Sequence, residues 1–170
     1  VFLLVMLFSF LGGMRRSEKD IEPTKYNIYC ILTDLTMLSL IALVYTNDLF
    51  TAFVFIEINT LAAAGLVMMR QHGRALVAGV RYMMMNLLGS SLFLIGIVIL
   101  YTITGHLLMV NIHERIVELA ASGQYHVPLT VVVSLISVGL AMKCALFPFD
   151  KWLPAAGSNS TPSGSAMLSS

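Results

Sequence analysis

Four long stretches, at 26–46, 49–69, 76–103 and 128–147, are almost free of charge, and they constrain this chain more than anything else in it. Each matches or exceeds the roughly 20 apolar residues that a helix needs to cross a bilayer's hydrocarbon. Lipid offers backbone N–H and C=O groups no partner, so a segment of this kind must satisfy them internally, as a helix. The composition agrees. Of the 170 residues 58% are hydrophobic and 11% charged, with a mean hydropathy of +0.86. A soluble domain has about 45–50% apolar and about 25% charged residues. The expected fold is therefore all-α, a polytopic transmembrane helix bundle, with the bilayer as its first partner.

The rest of the chain is punctuation between these spans. Residues 1–13 read as a partial transmembrane helix and 14–25 as a charged cytoplasmic loop. Residues 26–160 read as the transmembrane domain proper, and 161–170 as the start of a further helix. The opening apolar run lacks the basic leader and cleavage site of a signal peptide, and both ends read as cut within helices, as expected of an internal fragment. Asn47-Asp48 forms a tight turn and a helix N-cap. Between the stretches at 76–103 and 128–147, 104–127 holds an amphipathic stretch, about 110–121, where Ile112, Ile116, Val117 and Leu119 interleave with Glu114, Arg115 and Glu118. Lys and Arg concentrate in the loops at 14–25 and 70–74, which alternation places on one face. The positive-inside rule makes that face cytoplasmic, in a prokaryotic inner membrane. A net charge of +1 implies no nucleic-acid partner.

Against this apolar background, two ionisable residues stand out. Glu57 lies midway along the span at 49–69, where a lone carboxylate costs several kcal/mol unless it is neutral, paired or hydrated. A buried carboxyl of this kind can hold and release a proton; the plainer reading is a hydrogen bond that glues two helices. Lys143, inside the span at 128–147, is as unfavourable alone. Its plainer reading is snorkelling to the interface one turn away. Pro148, five residues on, supplies no N–H to the carbonyl of Cys144 and predicts a helix break beside Lys143. Broken helices at membrane depth line wet cavities. If the two charges face each other, moving one decides the protonation of the other.

Other polar residues carry weaker signals. Asn86 sits with Gly89, Ser90 and Ser91, a set that reads first as close helix packing. Ser134 could hydrate a path, and Asp34 is either interfacial or cavity-lining. Arg81 and Tyr82 read as interface anchors. The four His lie in loops without ligand spacing. Cys30 and Cys144 read as small core residues, so no metal is expected. No phosphate loop, dinucleotide fingerprint or nucleophile constellation occurs; no cofactor and no redox site are expected in this chain.

In order along the chain come Glu57, then Tyr82-Met83-Met84-Met85-Asn86-Leu87-Leu88-Gly89-Ser90, then Leu100-Tyr101-Thr102-Ile103-Thr104-Gly105. Gly139-Leu140-Ala141-Met142-Lys143 follows, running into Phe147-Pro148-Phe149-Asp150-Lys151-Trp152-Leu153-Pro154. From the second span onward this series resembles the proton-translocating antiporter-like subunits. These are the large membrane subunits of complex I-type NADH-quinone oxidoreductases, Mrp-type cation/proton antiporters and membrane-bound hydrogenases. The resemblance implies a larger subunit with two inverted five-helix repeats, other membrane subunits as partners, and translocation of protons, coupled in some members to sodium or potassium. It also implies that Glu57 and Lys143 form the gating pair, on a broken helix. The Asn86–Ser91 stretch leans toward the Mrp D-type and hydrogenase-type subunits, with complex I close behind. Two departures stand out. Asp150 replaces a common His and could serve as an alternative acceptor, and Gly157 stands where the family commonly has a proton-handling His.

Two rivals belong to other classes. One is a structural membrane anchor that docks other subunits and conducts nothing. The other is an anion transporter in which Lys143 binds the solute.

Overall fold

The computed structural model describes residues 25–69, 73–122 and 126–159. The expected helices at 1–13 and 161–170, residues 14–24 of the charged loop, and the basic residues Arg70 and His72 lie outside the described residues. Within them the chain forms six helices and no strand: α1 (Tyr26–Tyr45), α2 (Leu49–Met68), α3 (Gly73–Thr104), α4 (Met109–Ser122), α5 (His126–Lys143) and α6 (Trp152–Asn159). The helices α1, α2 and α3 are long and apolar enough to cross a membrane, and α5 is a shorter apolar helix.

Each helix is set locally. In α1 the hydroxyls of Thr33, Thr36 and Ser39 donate to carbonyls of their own helix three or four residues back, so these polar residues can be buried. This uses a low-cost local bond of Ser and Thr. Asp48 caps α2, its Oδ1 accepting from the Thr51 amide at 2.9 Å. α3 has 32 residues, about 48 Å at 1.5 Å per residue, against about 30 Å of hydrocarbon. It starts at Gly73, ahead of its apolar stretch, because a helix can continue beyond the lipid into the headgroups.

The third helix is the hub, with α2, α5 and α6 packed on it and α1 packed on the outer side of α2. Its contact with α5 is backbone to backbone. A Cβ on Gly139 would come within 2.7 Å of the Gly89 carbonyl oxygen and 2.9 Å of the Phe93 nitrogen. Small residues permit such approach between membrane helices. At the far end of the bundle the turns before α2 and after α3 are tied together: the Leu49 amide donates to the Leu107 carbonyl and the Met109 amide to that of Asn47, both at 2.9 Å. The amphipathic α4 lies across that end. Its Ile112 is buried with Leu100 of α3 and Val132 of α5, while Glu114, Arg115 and Glu118 are exposed.

α5 ends at Lys143, short of the expected 147, and the cause is not Pro148. The Leu146 amide donates to the Ala141 carbonyl at 2.9 Å, and Ala145 takes φ +50°. That is a Schellman motif with alanine in the left-handed position that glycine normally occupies. Pro148 lies beyond the finished helix. Trp152 then opens α6, which folds back against α2 and α3.

Candidate proton-handling site

The fold brings Glu57 and Lys143 together. Glu57 is the ninth residue of α2, and Lys143 is the last of α5. Lys143 Nζ donates to Glu57 Oε1 at 2.7 Å, with the lysine side chain 7% exposed and the glutamate 28%. Lys143 is not snorkelling: its stem turns inward, one turn past the Gly89–Gly139 contact that draws α5 onto α3. Its position in the last turn also sets the ammonium against the negative end of the α5 dipole.

A third residue, Ser90, completes the arrangement. Ser90 Oγ makes a short hydrogen bond to Glu57 Oε1 and lies 2.8 Å from the Asn86 carbonyl oxygen. A hydroxyl has one proton to donate and can also accept. With Glu57 charged, Ser90 donates to the carboxylate. With Glu57 protonated, the carboxyl can donate to Ser90, which donates in turn to Asn86. One hydroxyl thus fits both protonation states, a role that a reading of Ser90 as mere packing misses.

Asn86 is buried and its amide donates to the Tyr82 carbonyl at 2.9 Å. Together with Thr36, Asn59, Thr60 and Trp152 it lines a cavity of about 150 Å³ that Lys143 also faces. Among the described residues, the buried indole Nε1 of Trp152 has no hydrogen-bond partner. Tyr82 is no interface anchor; it is 4% exposed and meets the Trp152 ring edge-on, with centroids 4.9 Å apart. On the outer side Glu57 borders a more apolar groove of about 400 Å³ between α2 and α3, with Leu61, Met83 and Leu87 in its walls. The lysine thus faces a cavity with polar groups among its walls and the glutamate borders a more apolar groove, with Thr60, Tyr82 and Asn86 lining both.

Three of the weaker sequence candidates are not gathered here. Asp34 is exposed on the face of α1 opposite Thr33 and Thr36. Ser134 is exposed and bonds back to the Thr130 carbonyl. Asp150 is exposed, and its carbonyl accepts from the Leu153 amide at the start of α6. Gly157 sits within α6 and brings no side chain. Among the described residues no His, Cys, Asp and Glu converge as a metal site.

A bundle of apolar helices, three of them long enough to cross a bilayer among the described residues, defines an integral membrane protein. Comparison with known proteins makes this specific. Residues 46–170 match the family described as NADH:quinone oxidoreductase/Mrp antiporter, TM, and the chain belongs to that family. It is 33% identical over 134 residues to NADH-quinone oxidoreductase subunit N of Desulforudis audaxviator, covering 79% of this chain and 26% of that protein. It is 35% identical over 109 residues to the D-type subunit of the Na(+)/H(+) antiporter of Alkalihalophilus pseudofirmus, covering 64% and 21%. Among solved structures it superposes with TM-score 0.81 and 30% identity on a chain of the membrane-bound sulfane sulfur reductase, an archaeal respiratory membrane complex, covering 94% of this chain and 32% of that one. The chain thus spans about a fifth to a third of the length of these proteins, which are subunits of multisubunit membrane complexes.

Proposed function

We propose that this chain is the proton-handling part of an antiporter-like membrane subunit, with Glu57 and Lys143 as the pair that accepts and passes the proton. The observation that carries the reading is the 2.7 Å contact between two charges 86 residues apart in sequence, held in an otherwise apolar bundle. A buried pair of this kind is seldom a net source of stability, because desolvation offsets the attraction. Breaking it is costly, since it leaves a buried charge uncompensated. A movement of α2 that draws Glu57 away therefore leaves an unpaired ammonium, which sheds its proton into the polar cavity. Return of the carboxylate favours the charged amine again. The cavity has polar groups in its walls and room for water, a medium for the released proton.

On this reading the subunit works beside other membrane subunits in a prokaryotic inner membrane, with its basic loops cytoplasmic. Redox chemistry, where the complex has any, belongs to its neighbours. Exchange of sodium or potassium for protons follows if the complex is of the Mrp type, and pumping driven by redox energy if it is of the complex I or hydrogenase type.

The test is Glu57→Gln in the full-length subunit within its assembled complex, reconstituted into vesicles with a pH-sensitive dye inside. Proton movement should fall at least tenfold with assembly intact. An unchanged rate would show the subunit to be a docking scaffold.

A further inference from the structure

α3 carries two guanidinium groups that the proton site does not use. Arg74 and Arg81 are exposed, and among the described residues neither has an ion-pair or hydrogen-bond partner. They are seven residues apart, two turns along the same face, or about 10 Å along the axis. Helical side chains lean toward the N-terminus, so the Arg81 guanidinium reaches back toward Arg74. The two flank a cavity of about 380 Å³ whose other walls are Gly73, Val77, Ala78 and Ala155. It is an open groove: a Cβ added to Gly73 would meet nothing within 4 Å.

Depth identifies the occupant. α3 is about 18 Å longer than the hydrocarbon is thick. Its polar surplus is at the start, before the apolar run that follows Arg81, so Gly73–Arg81 stands at the level of the lipid phosphates. Immediately below, on the same stripe, Met84 and Leu88 are 64% and 57% exposed. That surface suits acyl chains. An arginine at this depth with no carboxylate partner among the described residues calls for an anion, and the guanidinium fork matches phosphate oxygens.

We propose that Arg74 and Arg81 form a binding site for the phosphate of an anionic phospholipid, with the lipid tails lying along Met84 and Leu88. The proposal needs only the membrane placement of α3; no proton movement is involved, so it stands or falls separately from the function proposed above.

The test uses the full-length subunit in its assembled complex, in nanodiscs of phosphatidylcholine doped with phosphatidylglycerol, with bound lipid counted by native mass spectrometry. One interfacial arginine contributes about fivefold in binding to an anionic surface. Arg74→Gln, at the exposed helix end, should cut phosphatidylglycerol retention about fivefold, and the double variant with Arg81→Gln about 25-fold. Arg115→Gln, in α4 at the other end of the bundle, should leave retention unchanged. Equal retention in the variants would overturn the proposal. So would an equal loss in the Arg115 variant, which would mean general surface charge. Displacement of the lipid by millimolar inorganic phosphate would also overturn it, by showing a simple phosphate site.

Discussion

Replacing Ser90 by alanine is the sharpest probe of the charge pair, because it changes one hydrogen bond and little else. Ser90 is 4% exposed in the middle of α3, where alanine is the better helix former, so the helix should not weaken. What is lost is the short bond from Ser90 Oγ to Glu57 Oε1. A hydrogen bond to a charged group contributes about 1.5–3 kcal/mol. The second contact, to the Asn86 carbonyl, is an intrahelical bond beside the regular ladder, and its loss costs far less. The charged, Lys143-facing form of Glu57 should thus be destabilised by about 1.5–3 kcal/mol, which is roughly ten- to a hundredfold in any step that depends on it. The assay is dye-reported proton uptake by vesicles containing the complete complex, with subunit content checked in the same preparation. A wild-type rate at normal subunit content would refute the assignment of Ser90 to the site, and with it the idea that the hydroxyl serves both protonation states.

Two further predictions concern the scaffold around the pair. Gly139→Ala would place a methyl 2.7 Å from the Gly89 carbonyl oxygen and 2.9 Å from the Phe93 amide nitrogen; backbone cannot move aside, so α5 must part from α3 at a cost of about 1–3 kcal/mol. The solubilised complex should lose thermal stability, and an unchanged unfolding midpoint would contradict the close packing of α3 and α5. Ala145→Gly should act in the opposite sense, relieving a left-handed residue at φ +50° by about 0.5–1 kcal/mol. Hydrogen exchange at the Leu146 amide, which closes the motif, should slow about two- to fivefold.

Glu57 and Lys143 were legible in the sequence for one reason: a charge inside an apolar run has nowhere favourable to go except to another polar group. Ser90 was not legible, since serines in membrane helices commonly bond their own helix, as Ser91 does with the Leu87 carbonyl. Only the register between α2 and α3 decides which serine meets the carboxylate. Tyr82 was misjudged through its neighbour Arg81; adjacent residues on a helix lie about 100° apart, so an exposed arginine says nothing about the next side chain. Asp34 could have been placed by the same rule, because Tyr29, Thr33, Thr36 and Ser39 form the buried stripe of α1 and Asp34 falls off it. The end of α5 was expected for the wrong cause. Proline was a visible signal, whereas the motif that stops the helix uses alanine, which carries no turn signal at all.

The face of α3 that meets the pair is divided along its length. Tyr82, Asn86 and Ser90, spaced four apart, face the polar cavity and Glu57. One turn on, the same helix turns apolar: Phe93 meets Phe53 of α2 with ring centroids 5.9 Å apart, and Leu100 closes the end with Ile112 and Val132. Phe53 precedes Glu57 by one turn on α2, so the aromatic contact sits directly beside the carboxylate on the α4 side. Polar groups therefore lie on the Trp152 side of the pair and an aromatic contact on its α4 side. Under the function proposed above, a proton passing toward α4 would meet the Phe53–Phe93 contact, so transfer on that side would require a second conformation in which that contact parts.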